Sequence, residues 1–179
     1  MTVALTVRRL SETDTLGAFE SQVEQLDEYI RKYARQSQRR GWNATWLALD
    51  GDWIAGFATI VSGSVESSIL RGVIPKLPQY PAPVLKVARM ATDHRFTGRR
   101  VGSTLMAAVY QAAIEQAARS GCVGVFTDAK PAVEGKPRAV DFYAKLGFTI
   151  VEEAASPDKT TGMFMPLATV EARLAELRL

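Results

Sequence analysis

The chain is poor in the residues from which metal and redox centres are built. Cys122 is the only cysteine and His94 the only histidine among 179 residues. One cysteine excludes a disulfide framework and a cysteine metal cluster. One histidine removes most zinc sites and argues against a Ser-His-Asp triad, so no metal is expected. No run approaches the ~20 apolar residues that cross a membrane, so none is expected to be spanned. The opening MTVALTVRRL lacks the basic start and long apolar core of a secretory signal. It reads instead as a strand in which Val3, Leu5 and Val7 alternate with polar neighbours. The expected compartment is the cytoplasm. Neither G-x-x-x-x-G-K-[ST] nor G-x-G-x-x-G occurs, which removes the P-loop and Rossmann readings. Internal repeats and low-complexity linkers are missing too.

What remains is an ordinary globular composition, 47% apolar and 23% charged, expected to fold as one domain over 1–179. Net charge is only +3, but it is unevenly placed. Residues 31–40, RKYARQSQRR, carry five basic side chains and no acidic one. Arg31, Arg35 and Arg39 recur every four residues, which stacks them on one helical face, with Leu26, Ile30 and Tyr33 as the apolar face beside them. Such a face is either a solvated exterior or an electrostatic footprint for phosphates.

The patterning predicts a mixed α/β fold. A helical region is expected from about Thr15 to Arg40, ended by Gly41. Two strands should flank the Asp50-Gly51 turn, a strong hairpin signal. The proline-punctuated stretch 70–83 should be irregular. VLKVARMAT reads as a strand, and Val101 to Arg119 as a helix whose stripe runs through Leu105, Val109, Ala112 or Ala113, and Gln116 or Ala117, with Gly121 at its C-terminal end. CVGVFTD, FTIVEE and GMFMPL read as strands. A short helix should open near Pro137 and close at Gly147. A last helix over 168–179 would put Val170, Leu174 and Leu177 on one side. Cys122 reads as a core residue.

The stretch TDHRFTGRRVGSTLM (92–106) concentrates backbone freedom and positive charge where a strand gives way to a long helix. The first turn of a helix leaves N–H groups unpaired and carries partial positive charge. Gly98 and Gly102 permit close backbone approach, and Arg95, Arg99 and Arg100 add charge. The combination suits a phosphate or pyrophosphate; its plain alternative is a tight turn with solvated arginines.

These residues resemble the GNAT superfamily of acetyl-CoA-dependent N-acetyltransferases. The family hexapeptide, Q/R-x-x-G-x-G/A, falls on Thr97-Gly98-Arg99-Arg100-Val101-Gly102. Gly102 matches; Thr97 and Arg100 depart from the Gln or Arg and the Gly that the family prefers there. AVDFYAKLGF (139–148) is similar to the family's A-x-x-F-Y-x-x-x-G-F segment and aligns Tyr143 with its tyrosine. The resemblance implies a GNAT fold: a central, twisted, mostly antiparallel sheet of six to seven strands flanked by helices. It also implies acetyl-CoA as donor, with Gly98 to Ser103 holding the pyrophosphate and Arg95 nearby. Met90, Ala91 and Thr92 would line the acetyl site. Tyr143 would be the acid that protonates the departing thiolate, a role a phenol of pKa ~10 can fill.

A closer likeness over roughly 3–167 is to the GNAT toxins of bacterial toxin–antitoxin modules, which acetylate the α-amine of aminoacyl-tRNA. It is carried by LDEYIRKYARQSQRRG, GFATIVSGSVE, PVLKVARMATD, GRRVGSTLM, DAK, DFYAKLGF and MFMPL. By this resemblance Arg31, Lys32, Arg35, Arg39 and Arg40 are tRNA-phosphate candidates, with Arg89 nearer the acceptor end. A homodimer and a separately encoded antitoxin are further implied partners. The predicted chemistry is direct transfer in a ternary complex, with strand N–H groups stabilising the oxyanion. No general base is evident, which an aminoacyl ester tolerates because its α-amine has a pKa of ~8 or below. Two other readings stand: a GNAT enzyme acting on a small amine, an antibiotic or a protein N-terminus, and a non-catalytic module binding coenzyme A or a protein.

Overall fold

The computed structural model describes residues 4–177. Val3, the first residue of the expected opening strand, and the last two residues of the expected final helix lie outside them. Seven strands form a sheet in the order β1-β2-β3-β4-β5-β7-β6. They are β1 (Thr6–Arg9), β2 (Ala44–Asp50), β3 (Trp53–Val65), β4 (Ala82–Thr92), β5 (Gly124–Ala129), β6 (Thr149–Glu152) and β7 (Thr161–Pro166). The chain divides into two compact units. One runs to Val61 and takes in Val87–Val109; the other holds Ser62–Lys86 and the chain from Tyr110 onward.

In the first unit, β1 and β2 pair antiparallel, as do β2 and β3. The hairpin closes through Gly51 and Asp52, with Asp50 opposite Trp53 and Gly51 at φ +60°, as the two-residue turn demands. Leu47, Leu49, Ile54 and Phe57 face Leu10, Leu16, Phe19, Ile30 and Ala34 in one apolar cluster. Phe19 meets Phe57 edge-on at 5.5 Å, and full burial of each ring is worth about 2–3 kcal/mol. Gly56 permits the close packing on the other side. A Cβ there would lie 2.5 Å from Val101 Cγ1 and 2.8 Å from the Ala91 carbonyl.

The expected helix from Thr15 to Arg40 is shorter and is interrupted. Residues 15–23 are not helical. Asp27 takes the backbone N–H and hydroxyl of Ser21, at 2.7 and 2.6 Å, and Gln22 adopts φ +67°. That turn forces a helical start at Glu24. Helix α1 (Glu24–Glu28) runs into a π-helical turn, Tyr29–Tyr33, and then α2 (Ala34–Arg39). The wider turn shifts the phase of the later residues by about 100°, the angular step of one residue. Ala34 therefore takes the fully buried position beside Ile30, and Tyr33, expected on the apolar face, is 49% exposed.

In the second unit β7 pairs antiparallel with both β5 and β6. Helix α4 (Ala139–Leu146) ends at Gly147, φ +106°, and α5 is Leu167–Leu177. Val170 and Leu174 are buried as expected, but Leu177, in the last turn, is 56% exposed. Cys122 is buried, its thiol donating to the Gly124 carbonyl at 3.2 Å. Burial pushes that thiol up, so it behaves as core. Helix α3 runs Val101–Arg119 as expected. Its buried stripe is Val101, Leu105, Met106, Val109, Tyr110 and Ala113, and Gly121 (φ +102°) returns its N–H to the Gln116 carbonyl. No helix among the described residues is long and apolar enough to cross a membrane.

Candidate active site

Strand β4 delivers the chain to Asp93, and a short 3-10 turn, His94–Phe96, leads into α3. Asp93 carries no signal in the sequence, yet it organises this corner. Its fully buried carboxylate accepts from the Glu20 N–H (3.0 Å), the Arg95 N–H (3.0 Å) and two Arg95 guanidinium nitrogens (2.8 and 2.7 Å). Burial pushes the carboxyl up, but the Arg95 guanidinium and the N–H groups of Glu20 and Arg95 overrule it and hold Asp93 at about 2. Arg95 also donates to the Ala18 carbonyl and lies over the Trp53 ring at 4.7 Å. Arg99 pairs with Asp50 at 2.8 Å and stacks near Phe96. Two of the three arginines assigned to phosphate are thus also structural ties.

The backbone between them is left-handed at two positions. Gly98 sits at φ +81°, and Arg100 at φ +58°. A side chain pays of order 1–3 kcal/mol to hold that left-handed conformation. Arg100 occupies the hexapeptide's glycine position and retains a glycine-like backbone there. The first α-helical hydrogen bond runs from the Thr104 N–H to the Arg100 carbonyl at 3.0 Å. The N–H groups of Val101, Gly102 and Ser103 therefore precede the first closed turn and stand available to an anion. The Arg100 side chain is exposed, and the Thr97 hydroxyl turns back to the His94 carbonyl.

On β4, Arg89 is exposed, Met90 and Thr92 are partly covered and Ala91 is buried. The Arg89 guanidinium lies 4.0 Å above the Tyr29 ring. Tyr143, on α4, is 6% exposed and edge-on to Phe142 and Phe148. Burial pushes its phenol up, against the opposing effect of its hydrogen bond with Thr127. It is a protonated phenol at neutral pH, the state an acid needs.

A model of the acetyltransferase (GNAT) domain matches residues 41–150, more than half of the chain. The chain belongs to the GNAT acetyltransferase family. Membership bears out the expected fold, the acyltransferase class and acetyl-CoA as the donor that this class uses. The GNAT domain takes in the β2–β3 hairpin, the Arg100 turn and Tyr143. A curated relative, the tRNA-acetylating toxin of Mycobacterium tuberculosis (strain ATCC 25618 / H37Rv), is 31% identical over 99 residues, which is 55% of this chain and 60% of the relative. The match therefore spans less than two thirds of that relative's length. A crystal structure of a bacterial toxin superposes with a TM-score of 0.84 at 20% identity, covering 96% of each chain. AtaT complexed with acetyl-methionyl-tRNAfMet gives 0.78 at 21% identity, covering 94% of this chain and 98% of that one. At 18% identity, a tyrosine-to-phenylalanine mutant of AtaT bound to the C-terminus of the antitoxin AtaR and acetyl-CoA gives 0.72, covering 94% and 96%. At these identities the structural likeness speaks for the GNAT fold.

The basic helix is less free than its sequence suggests. Arg31 donates to the Phe19 carbonyl, Arg35 to the carbonyls of Ser11 and Asp14, and Arg39 to the Glu12 carboxylate. Spacing put these three on one face; the structure turns that face toward the loop over residues 11–19. Lys32 meets Glu28 at 3.1 Å, and Arg40 is exposed. Two groups had no sequence signal. The Tyr110 hydroxyl is buried without a partner, and burial pushes it up to about 12. A groove of about 400 Å³ is lined by Glu20, Glu24, Asp27 and Glu28 together with Arg31 and Lys32.

Proposed function

We propose that this chain transfers acetyl from acetyl-CoA to the α-amine of aminoacyl-tRNA and so blocks translation, acting in the cytoplasm. Its likeness to the tRNA-acetylating toxin supports the acceptor. The observation that carries the donor side is the left-handed Arg100 ahead of the open N–H groups of Val101, Gly102 and Ser103. These groups, with the Gly98 and Arg100 backbone, Thr97 and the Arg95, Arg99 and Arg100 side chains, bind the pyrophosphate. Met90, Ala91 and Thr92 line the acetyl site.

In this reading the neutral amine attacks the thioester carbonyl, the C–N bond forms, and backbone N–H groups on β4 hold the oxyanion. Collapse breaks the C–S bond. The sulfur leaves as thiolate and takes the Tyr143 proton, the ammonium proton passes to solvent, and the Tyr143 phenolate regains a proton from solvent before the next turnover. The chain acts as a homodimer held in check by a separately encoded antitoxin. Among the tRNA candidates, Arg40 and Arg89 have the freer side chains, while Arg31, Lys32, Arg35 and Arg39, each held by a partner, contribute field more than contact. Tyr143→Phe tests the chemistry. Turnover should fall about a hundredfold, the usual worth of a positioned acid, with acetyl-CoA affinity kept; wild-type turnover would remove Tyr143 from the mechanism.

The groove favours one second reading, a GNAT enzyme acetylating a small cationic amine, because its four carboxylates outnumber the cations of Arg31 and Lys32. Acetylation of polyamines in preference to charged tRNA would select it.

A further inference from the structure

We propose that Thr127 is a positioning residue for Tyr143: its hydroxyl donates to the phenol oxygen, leaves the phenolic proton free to transfer, and holds the phenolate that transfer leaves behind. This rests on the reading of Tyr143 as the acid and deepens it. Both residues belong to the second unit. Thr127 lies on β5 opposite Met163 of β7, and α4 packs on both strands. Side chains alternate across a strand. Phe126 enters the apolar cluster with Val65, Leu70 and Phe164, which gives Thr127 to the other face and to Tyr143. Thr127 is buried, like Tyr143. A hydroxyl at such a position costs stability unless it is bonded, and its bond goes to the Tyr143 phenol.

The chemistry needs such a donor. A phenol that gives up its proton becomes an anion, and one enclosed by rings has little water to solvate it. Phe142 and Phe148 offer ring edges and no O–H or N–H group. Tyr110 is near enough to feel the charge of Tyr143, but its buried hydroxyl has no hydrogen-bond partner. The bond with Thr127 works against burial and in favour of the phenolate, the sense of a donor aimed at the oxygen. In the transfer the Tyr143 O–H bond breaks and an S–H bond forms. Thr127 keeps its own proton, and its bond to the oxygen strengthens as charge arrives there. A β-branched residue also holds its hydroxyl in fewer rotamers than serine would.

Release of the coenzyme A thiol by the full-length protein, with charged tRNA as acceptor, tests this. Thr127→Val removes the donor and keeps the branched shape. Its kcat should fall about tenfold, the worth of a hydrogen bond to a charged group, with the KM values for acetyl-CoA and charged tRNA unchanged. Thr127→Ser should restore most of the loss. In a Tyr143→Phe background the valine substitution should change turnover less than about twofold, because no phenolate remains to be held. Tyr110→Phe deletes a buried hydroxyl that has no partner and should keep the wild-type kcat. Wild-type kcat in Thr127→Val, with Tyr143→Phe impaired, overturns the proposal and leaves the acid reading standing. A tenfold loss that persists in the Tyr143→Phe background, or that Tyr110→Phe reproduces, also overturns it, since either marks a general disturbance of packing. Full turnover by Tyr143→Phe removes the acid and the positioning role together. If polyamines rather than charged tRNA accept the acetyl group, the same series read on polyamines keeps its pattern, and only the acceptor reading fails.

Discussion

Replacing Asp93 with asparagine removes the charge around which the β4–α3 corner is built. The carboxylate is fully buried and receives two backbone N–H groups and two guanidinium nitrogens. Its depression from 3.8 to about 2 corresponds to roughly 2–2.5 kcal/mol of stability at neutral pH. Asparagine keeps one acceptor oxygen but turns an N–H₂ group toward Arg95, so unpaired donors add to the loss. The Arg95 side chain is 37% exposed, and water can recover part of it. The net loss should be about 2–4 kcal/mol, below the full penalty of a broken buried pair. Urea unfolding of Asp93→Asn at pH 7 measures this directly. The sign of the pH dependence comes from the same shift. A carboxylate depressed in the fold stabilises fully above its ordinary pKa, and that contribution is lost as pH falls through about 4 to 2. The wild type should lose it in that window and the variant should not. Because the same carboxylate holds the turn ahead of Gly98, the acetyl-CoA KM should rise as well. A variant within 0.5 kcal/mol of wild type, with a parallel acid profile, would refute this account of the corner.

Gly56→Ala should destabilise by about 1–3 kcal/mol, because its new methyl meets the rigid Ala91 carbonyl as well as Val101; an unchanged thermal midpoint would show that the two elements separate freely. Phe57→Ala empties the centre of the first cluster and should lower stability by about 3–5 kcal/mol, read from the urea midpoint. Arg100→Ala keeps a left-handed backbone without the charge and should raise the acetyl-CoA dissociation constant roughly tenfold by calorimetry; unaltered binding would assign the pyrophosphate to the backbone alone. Arg8→Ala releases Asp14, which the Arg8 guanidinium, against burial, holds at about 2. The variant should therefore lose less stability than wild type between pH 4 and 2.

Where local chemistry sets the structure, the sequence was readable. Asp50-Gly51 specified its hairpin, Val101 to Arg119 its helix, and Gly41, Gly121 and Gly147 three left-handed helix ends. The glycine-and-arginine stretch led to the left-handed turn ahead of α3 because a helix start announces itself in a few adjacent residues. Tyr33 was misplaced because a 3.6-residue template cannot foresee one π-helical turn, and that turn yields no pattern of its own. The arginine face of 31–39 was seen, but its partners Phe19, Ser11, Asp14 and Glu12 come from a loop 12 to 27 residues away in sequence. Asp93 was invisible for a similar reason, since Glu20 lies 73 residues before it. The left-handed backbone at Arg100 ran against its residue type, and only the folded chain reveals it.

The central claim is tested most directly by supplying the protein with acetyl-labelled acetyl-CoA and total charged tRNA, beside deacylated tRNA, polyamines and peptides. The account predicts label on charged tRNA alone, released with the aminoacyl ester by mild base and lost in Tyr143→Phe. Label on polyamines or peptides, with charged tRNA untouched, would contradict it and return the acceptor to the acidic groove.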